Sequence, residues 1–255
     1  MDTRPLGRTG LSVSHIGWGT VKLGRNTAVK FPETFALPSD AEASSIVHGM
    51  LDLGITLIDT APAYGLAEER LGAAILGRRD ELVLCTKVGE TFEDGVSHHD
   101  FSAKAVRESL EESLRKLQTD HVDVLLVHAD DNDLSLQDGT DLVQTLQRLR
   151  DEGKTRSIGF SGKTTQAAEA ALRWADVLMC TYTMEDRSHE AVIEAAGSAG
   201  VGVLLKKVLG SGHLPAEEAL QFVLNSAPIA SSVASVVIGS LNSTRMEANV
   251  AIAQR

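Results

Sequence analysis

A chain of 255 residues can hold one large α/β domain or two modest ones, and length alone does not choose. Its 24 lysines and arginines stand against 35 aspartates and glutamates, a formal charge of −11. That balance argues against a nucleic-acid or anionic-membrane surface, because either would repel most of such a protein; a small basic pocket for a phosphate-bearing ligand stays open. The two cysteines, Cys85 and Cys180, each lie in an apolar run, no signal-like stretch follows Met1, and no apolar run reaches the about 18 residues of a membrane span. A soluble cytoplasmic protein is expected.

The segment Arg4–Val13, with its Leu6-Gly7-Arg8-Thr9-Gly10 turn, reads as a hairpin able to plug a barrel floor, and Ser14–Thr20 reads as the first strand. Helical patterns follow at Ala41–Leu53, Ala67–Leu76, Ser102–Lys116, Leu142–Glu152, Thr164–Trp174, His189–Ala199, Pro215–Leu224 and Thr244–Ile252. In the third of these, Val106, Leu110, Leu114 and Leu117 fall on one face while Arg107, Glu108, Glu111, Glu112 and Arg115 turn outward. Pro215 fits a first helical turn, and Gly54, Gly77, Gly153 and Gly200 follow helix ends. Between the helices, Leu57–Asp59, Leu82–Lys87, Val122–His128, Arg156–Ser161, Val177–Tyr182, Gly202–Lys206 and Ser235–Ile238 read as strands, mostly without alternation, as strands covered on both faces do. About eight βα units of roughly 30 residues each fit one closed (β/α)8 TIM barrel with a short N-terminal β-hairpin, residues 1–255 forming a single domain. An open doubly wound sheet is the alternative, because strand order is not written in the sequence.

Competing motifs fall short. Gly17-Trp18-Gly19-Thr20 and Gly210-Ser211-Gly212-His213 lack the third glycine of a dinucleotide fingerprint, and Gly159-Phe160-Ser161-Gly162 has Lys163 where a nucleophile elbow closes on glycine. His98-His99-Asp100 and His128-Ala129-Asp130-Asp131 offer metal-binding groups but neither a His-x-His strand pair nor a His-Glu-x-x-His helix, so no metal is expected.

Four residues fall at the C-terminal ends of successive strands, where a barrel carries its chemistry: Asp59, Tyr64 just beyond it, Lys87 and His128. Each alone has a structural reading, as a helix cap, a rim residue, a snorkelling base or a core histidine. Together they suit carbonyl reduction, because a hydride delivered to C=O leaves a developing alkoxide that needs a proton and nearby positive charge. A lysine ammonium about 4 Å from a phenol favours the phenolate by about 4 kcal/mol at an effective dielectric near 20, so Lys87 is expected to pull the pKa of Tyr64 down. Asp59 would keep the lysine charged, and His128 could donate an N–H to the substrate oxygen.

These residues, in this order, resemble the aldo-keto reductase superfamily. Asp59-Thr60-Ala61-Pro62-Ala63-Tyr64-Gly65 is similar to one family signature, and the run from Ser109 to Asp123 ending in Leu125-Leu126-Val127-His128 to a second. Leu6–Gly10 and Ile16–Thr20 look like the family's hairpin and first strand. The resemblance implies Tyr64 as general acid, Lys87 and Asp59 as its supports, and His128 as the residue that orients the carbonyl of a small-molecule substrate. It also implies NADPH, with NADH possible, held by Gly19, Thr20, Asp59, Ser161, Lys206, Leu209, Ser211, Gly239, Ser240, Leu241, Arg245 and Asn249. A non-catalytic nicotinamide-binding sensor or partner subunit on the same fold is the alternative.

The chain departs from the family pattern in four places. Gly239 and Leu241 stand where NADPH-preferring members often have a basic residue, Gly162 where an asparagine grips the carboxamide, Met179 where a glutamine does, and Lys206 where an aromatic ring stacks on the nicotinamide. Lys206 and Lys207 are expected to face the pyrophosphate instead. Ala129–Asp141 and Gly210–Leu214 are short and the chain stops at Arg255, near the expected end of the last barrel helix, so the pocket should be shallow and open. Trp18, Tyr182 and the neighbourhood of Phe92 are candidate walls, and Arg25–Pro38 could reach over the rim.

Overall fold

Eight of the apolar runs pair side by side, all parallel, and close on themselves. The computed structural model describes residues 2–138 and 140–254. In chain order its elements are β1 (Thr3–Pro5), β2 (Ser12–Ser14), β3 (Ile16–Gly19), α1 (Val21–Gly24), α2 (Asp40–Asp52), β4 (Leu57–Asp59), α3 (Ala67–Ala74), β5 (Val83–Val88), β6 (Glu90–Glu93) and β7 (Val96–His99). They continue as α4 (Ala103–Leu117), β8 (Val122–His128), α5 (Leu142–Asp151), β9 (Thr155–Ser161), α6 (Thr165–Ala171), β10 (Val177–Thr181), α7 (Glu190–Ser198), β11 (Gly202–Lys206), α8 (Ala216–Leu224), β12 (Val233–Ile238) and α9 (Ser243–Ala253). The barrel order is β3-β4-β5-β8-β9-β10-β11-β12, closing from β12 back to β3. This is the (β/α)8 barrel rather than the open sheet.

Closure explains the unbroken hydrophobic runs, since each strand is covered inside and out. The outer layer, between strands and helices, buries residues such as Trp18, Ile58, Leu84, Leu125 and Phe160. The interior packs Leu57, Val83, Val124, Val177 and Leu204 against Leu6, Leu11 and Val13 of the first hairpin, which plugs the floor as the sequence suggests. Strand register then aligns the functional ends: Gly19 lies beside Asp59, Lys87 beside Leu126, and His128 beside Ser161.

Local signals set the helices. Ser39 and Glu42 form a reciprocal cap at the start of α2. Gly54 and Gly153, just beyond α2 and α5, take φ of 79° and 77°, a left-handed conformation that glycine adopts without strain. Pro215 is the capping residue of α8 rather than part of its first turn, and α6 is shorter than expected because Thr164 caps it and it stops at Ala171. An unforeseen second hairpin, β6–β7, follows β5 and carries His98 and His99. Among the described residues no helix is long and apolar enough to cross a membrane.

Candidate active site

At the mouth of the barrel, β4 delivers Asp59 and a 3-10 turn over Pro62–Tyr64 brings the tyrosine back over β5. The turn is held by Gly65, whose φ of 62° and close approach to α1 (an added Cβ would lie 2.4 Å from Gly24 O) leave room for nothing larger. Lys87 Nζ donates to Asp59 Oδ1 at 2.6 Å, to Thr60 O at 2.8 Å and to Tyr64 Oη at 3.2 Å. His128 completes the group, its ring edge-on to that of Tyr64 with centroids 6.3 Å apart. All four expected residues therefore meet. Asp59 and Lys87 are 4% and 1% exposed, whereas Tyr64 and His128 are partly exposed.

Burial decides the proton inventory. It pushes the Tyr64 phenol up to about 12 against the opposing pull of Lys87, the reverse of the expected net direction. Desolvation of the neutral site outweighs one ammonium that is already shared with Asp59. Burial also works against the charge on Lys87, but Asp59 and its other neighbours together raise its pKa, and the ammonium persists. His128 is held below its usual value, first by burial.

Two residues at the site had no role singled out from the sequence, although the neighbourhood of Phe92 and the 25–38 stretch were expected as wall and rim. Glu90, first residue of β6, places Oε2 2.7 Å from His128 Nδ1, an ion-pair distance although not aligned as a full hydrogen bond. Arg25 donates to Thr27 O, Ala63 O and Ala28 O and stacks its guanidinium 3.4 Å from the centre of the Phe92 ring. A charged residue after a strand carries no recognisable pattern when the short hairpin holding it is not foreseen.

A cavity of about 380 Å³ opens over the four residues, lined also by Gly19, Ser161, Met179, Lys206, Lys207, Leu209, Ser211 and Gly239. Ala28, Val29, Lys30 and Phe31 form part of its wall, and His213 Nε2 lies 3.4 Å from Lys30 O, so the 25–38 stretch does cross the rim. Other expectations fail. Thr20 is fully buried and donates to Asp59 O at 3.0 Å, bracing the strand end rather than facing the cavity. Trp18 is buried in the outer layer with its indole N–H on Ser240 O at 2.8 Å. Tyr182 is buried too, its hydroxyl on Glu190 and its ring stacked on Phe222. Neither is a wall. Ser240, Leu241 and Arg245 lie outside the cavity lining at the start of α9, and Asn249 is buried with its amide 3.9 Å from Met246 Sδ.

The departures have physical causes. A Cβ at Gly162 would lie 2.4 Å from Phe160 Cε1 and 3.1 Å from Asp133 Oδ2, so an asparagine does not fit there. Asp133 instead takes the backbone N–H groups of Lys163 and Thr164, each at 2.7 Å, pinning the loop after β8 to the one after β9. Lys206, which lines the cavity, donates from Nζ to Ser161 Oγ at 2.9 Å and to Gly162 O at 3.0 Å. Burial first, then neighbouring Lys207, brings its pKa down to about 7. Among the described residues no three His, Cys, Asp or Glu side chains group to hold a metal.

The family model for the aldo/keto reductase family matches residues 15–221. L-galactose dehydrogenase of Arabidopsis thaliana is 34% identical over 84% of this chain and 67% of its own length, and the NADH-specific methylglyoxal reductase of Escherichia coli is 28% identical over 74% and 61%. The chain thus spans about two thirds of the length of the curated relatives it matches. Among solved structures, one from Pseudomonas aeruginosa assigned to the aldo-keto reductases superposes with a TM-score of 0.89 at 42% identity, covering 98% of this chain and 93% of that one. The holo form of aldo-keto reductase AKR11C1 from Bacillus halodurans gives 0.84 at 28% identity, covering 100% and 91%. Barrel, site and sequence converge, and the chain belongs to the aldo/keto reductase family of oxidoreductases.

Proposed function

We propose that this protein reduces a small aldehyde or ketone to the alcohol, or runs the reverse reaction, with NADPH as the preferred and NADH as a possible cofactor. The observation that carries the reading is Lys87, whose one ammonium touches both the Asp59 carboxylate and the Tyr64 phenol at the base of the cavity. When bound, the nicotinamide supplies the hydride. The chain supplies everything else. Tyr64, protonated across the physiological range, donates to the carbonyl oxygen as charge develops there. Lys87 lies one bond away and stabilises the phenolate left behind, and Asp59 keeps Lys87 charged and aimed. Burial under the cavity strengthens both effects by excluding water.

The donor set fits a phosphorylated dinucleotide. Lys206 and Lys207 line the cavity with no carboxylate in ion-pair range among the described residues. Lys22 also lines the cavity, and after burial the charge of Arg245, beyond the lining, helps hold its pKa down, a repulsion that a bound anion would relieve. Ser161, Leu209, Ser211 and Gly239 supply neutral lining. Relatives named for L-galactose, D-threo-aldose and methylglyoxal chemistry support small oxygenated substrates. Both cysteines are buried and free, which fits the reducing cytoplasm.

Fluorescence titration of the purified protein with NADPH and with NADH is the direct test. Saturable binding, tighter for NADPH, followed by turnover in a carbonyl screen, is the expected result. Binding of neither cofactor would overturn the reading.

A further inference from the structure

His128 is expected to donate an N–H to the substrate oxygen, and its surroundings make that conditional. The side chain is 21% exposed, and its Nδ1 is buried and lies 2.7 Å from Glu90 Oε2, on the β6–β7 hairpin. A neutral imidazole has one N–H. Beside a carboxylate that proton belongs on Nδ1, which leaves Nε2 as an acceptor, and an acceptor repels a carbonyl oxygen. Donation from Nε2 therefore requires a second proton on the ring.

We propose that Glu90 is a positioning residue for the reaction: its carboxylate holds the first proton on Nδ1 and stabilises the second on Nε2, so that the paired imidazolium, not the neutral ring, grips the carbonyl oxygen beside Tyr64. The inference rests on the carbonyl-reduction reading. It assigns no new proton to the product, which still comes from Tyr64; His128 supplies a charged hydrogen bond that strengthens as the oxygen becomes an alkoxide.

The groups around the ring support this division. Lys87 from β5 and Lys206 from β11 both oppose its protonation, and burial opposes it more strongly than either. Glu90 is the anion that favours it. The carboxylate is itself well prepared: despite burial, His128, Ser97 and His99 bring its pKa down to about 2, and Arg25 lies within its field. His99 sits opposite Glu90 in the β6–β7 register, so the hairpin presents the carboxylate as a fixed element. The Nδ1–Oε2 separation of 2.7 Å is that of an ion pair, and Nδ1 has no other hydrogen-bond partner among the described residues.

The sign of the pH dependence follows. Reduction needs the imidazolium and falls as pH rises through the His128 pKa; alcohol oxidation needs the acceptor form and rises through the same value. Removing the anion in Glu90→Gln moves both limbs toward acid by about one pH unit or more. At neutral pH, kcat/KM for reduction then drops about tenfold. The NADPH dissociation constant stays within about twofold, because the carboxamide preserves the hairpin's packing. NMR titration of the His128 imidazole in the cofactor-free protein reads the coupling without turnover, and there too the midpoint moves to lower pH in Glu90→Gln. A uniform loss of activity with the limb unmoved, or an unshifted imidazole midpoint, would overturn the proposal. Failure of nicotinamide-dependent turnover shows in a different experiment, the cofactor titration, so the two readings fail separately.

Discussion

Lys87 Nζ and Asp59 Oδ1 stand 2.6 Å apart with both side chains almost sealed from water. A buried pair is stabilising only while both members are present, because removing one leaves a desolvated charge. Asp59→Asn should therefore cost about 3–5 kcal/mol in stability at neutral pH. Lys87 without its partner has a folded-state pKa below its unfolded value, so the variant gains stability as pH rises through that depressed value. The wild type behaves oppositely: its raised lysine pKa contributes stability below the unfolded value of about 10.4 and loses it above the folded one. Denaturant melts from neutral to about pH 10 check the sign: the variant should gain stability while the lysine's contribution in the wild type stays flat. Adding Lys87→Met to Asp59→Asn should recover most of the loss; an additive double variant would mean that the pair is not coupled.

Tyr64→Phe keeps the ring and its edge contact with His128 while removing the atom that Lys87 touches. Turnover should fall by about 10²–10⁴-fold, the range of a lost general acid, with cofactor affinity nearly unchanged. Because burial pushes this phenol up to about 12, wild-type reduction should show no limb from Tyr64 below that pH. Undiminished reduction by the phenylalanine variant would remove Tyr64 from the acid role.

The sequence made the four central residues legible because they sit at strand ends, and strand ends follow from unbroken apolar runs. The same runs hid which way the side chains face. In β3 the inward positions are Gly17 and Gly19, whose missing Cβ atoms would meet Leu57, Ser235 and Val237, so Trp18 between them must point outward. Tyr182 likewise follows cavity-facing Met179 at an odd step and turns away. Glu90 was invisible for another reason. Its role depends on a four-residue strand whose hydrophobic pattern is too short to read, and on a histidine 38 positions later brought near by β5–β8 pairing. The raised pKa of Tyr64 could not be read at all, since a sequence gives the charges but not the depth that desolvates them.

Lys206 tests the cofactor side. With its pKa brought down to about 7, this amine is charged in mild acid and neutral in mild base. If the ammonium holds an anionic or carbonyl oxygen of the cofactor, NADPH affinity should weaken by about tenfold as pH rises across that value, the worth of one charge-assisted hydrogen bond. Lys206→Met should bind NADPH with the weaker affinity throughout and show a flat profile. The readout is the same fluorescence titration, repeated from pH 6 to 9. Parallel pH profiles in the two proteins would mean the amine does no more than brace Ser161 and Gly162.

Gly24 links packing to the position of the acid. A Cβ there would lie 2.1 Å from Ala67 N and 2.3 Å from Tyr64 O, both backbone atoms that cannot swing aside. Gly24→Ala must push α1 away from the Tyr64 turn, a strain of about 1–3 kcal/mol in a packed interior, and must displace the tyrosine with it. A displacement of about 1 Å at a reacting group costs on the order of 100-fold in rate. Stability and kcat should therefore fall together. Gly49 is the control, a glycine within α2 with nothing inside 4 Å of its added Cβ and no positive φ. Gly49→Ala should raise stability by about 0.5–1 kcal/mol through helix propensity and leave kcat alone. If both alanine variants instead lost activity to the same extent, the effect at Gly24 would not be transmitted through the backbone of Tyr64.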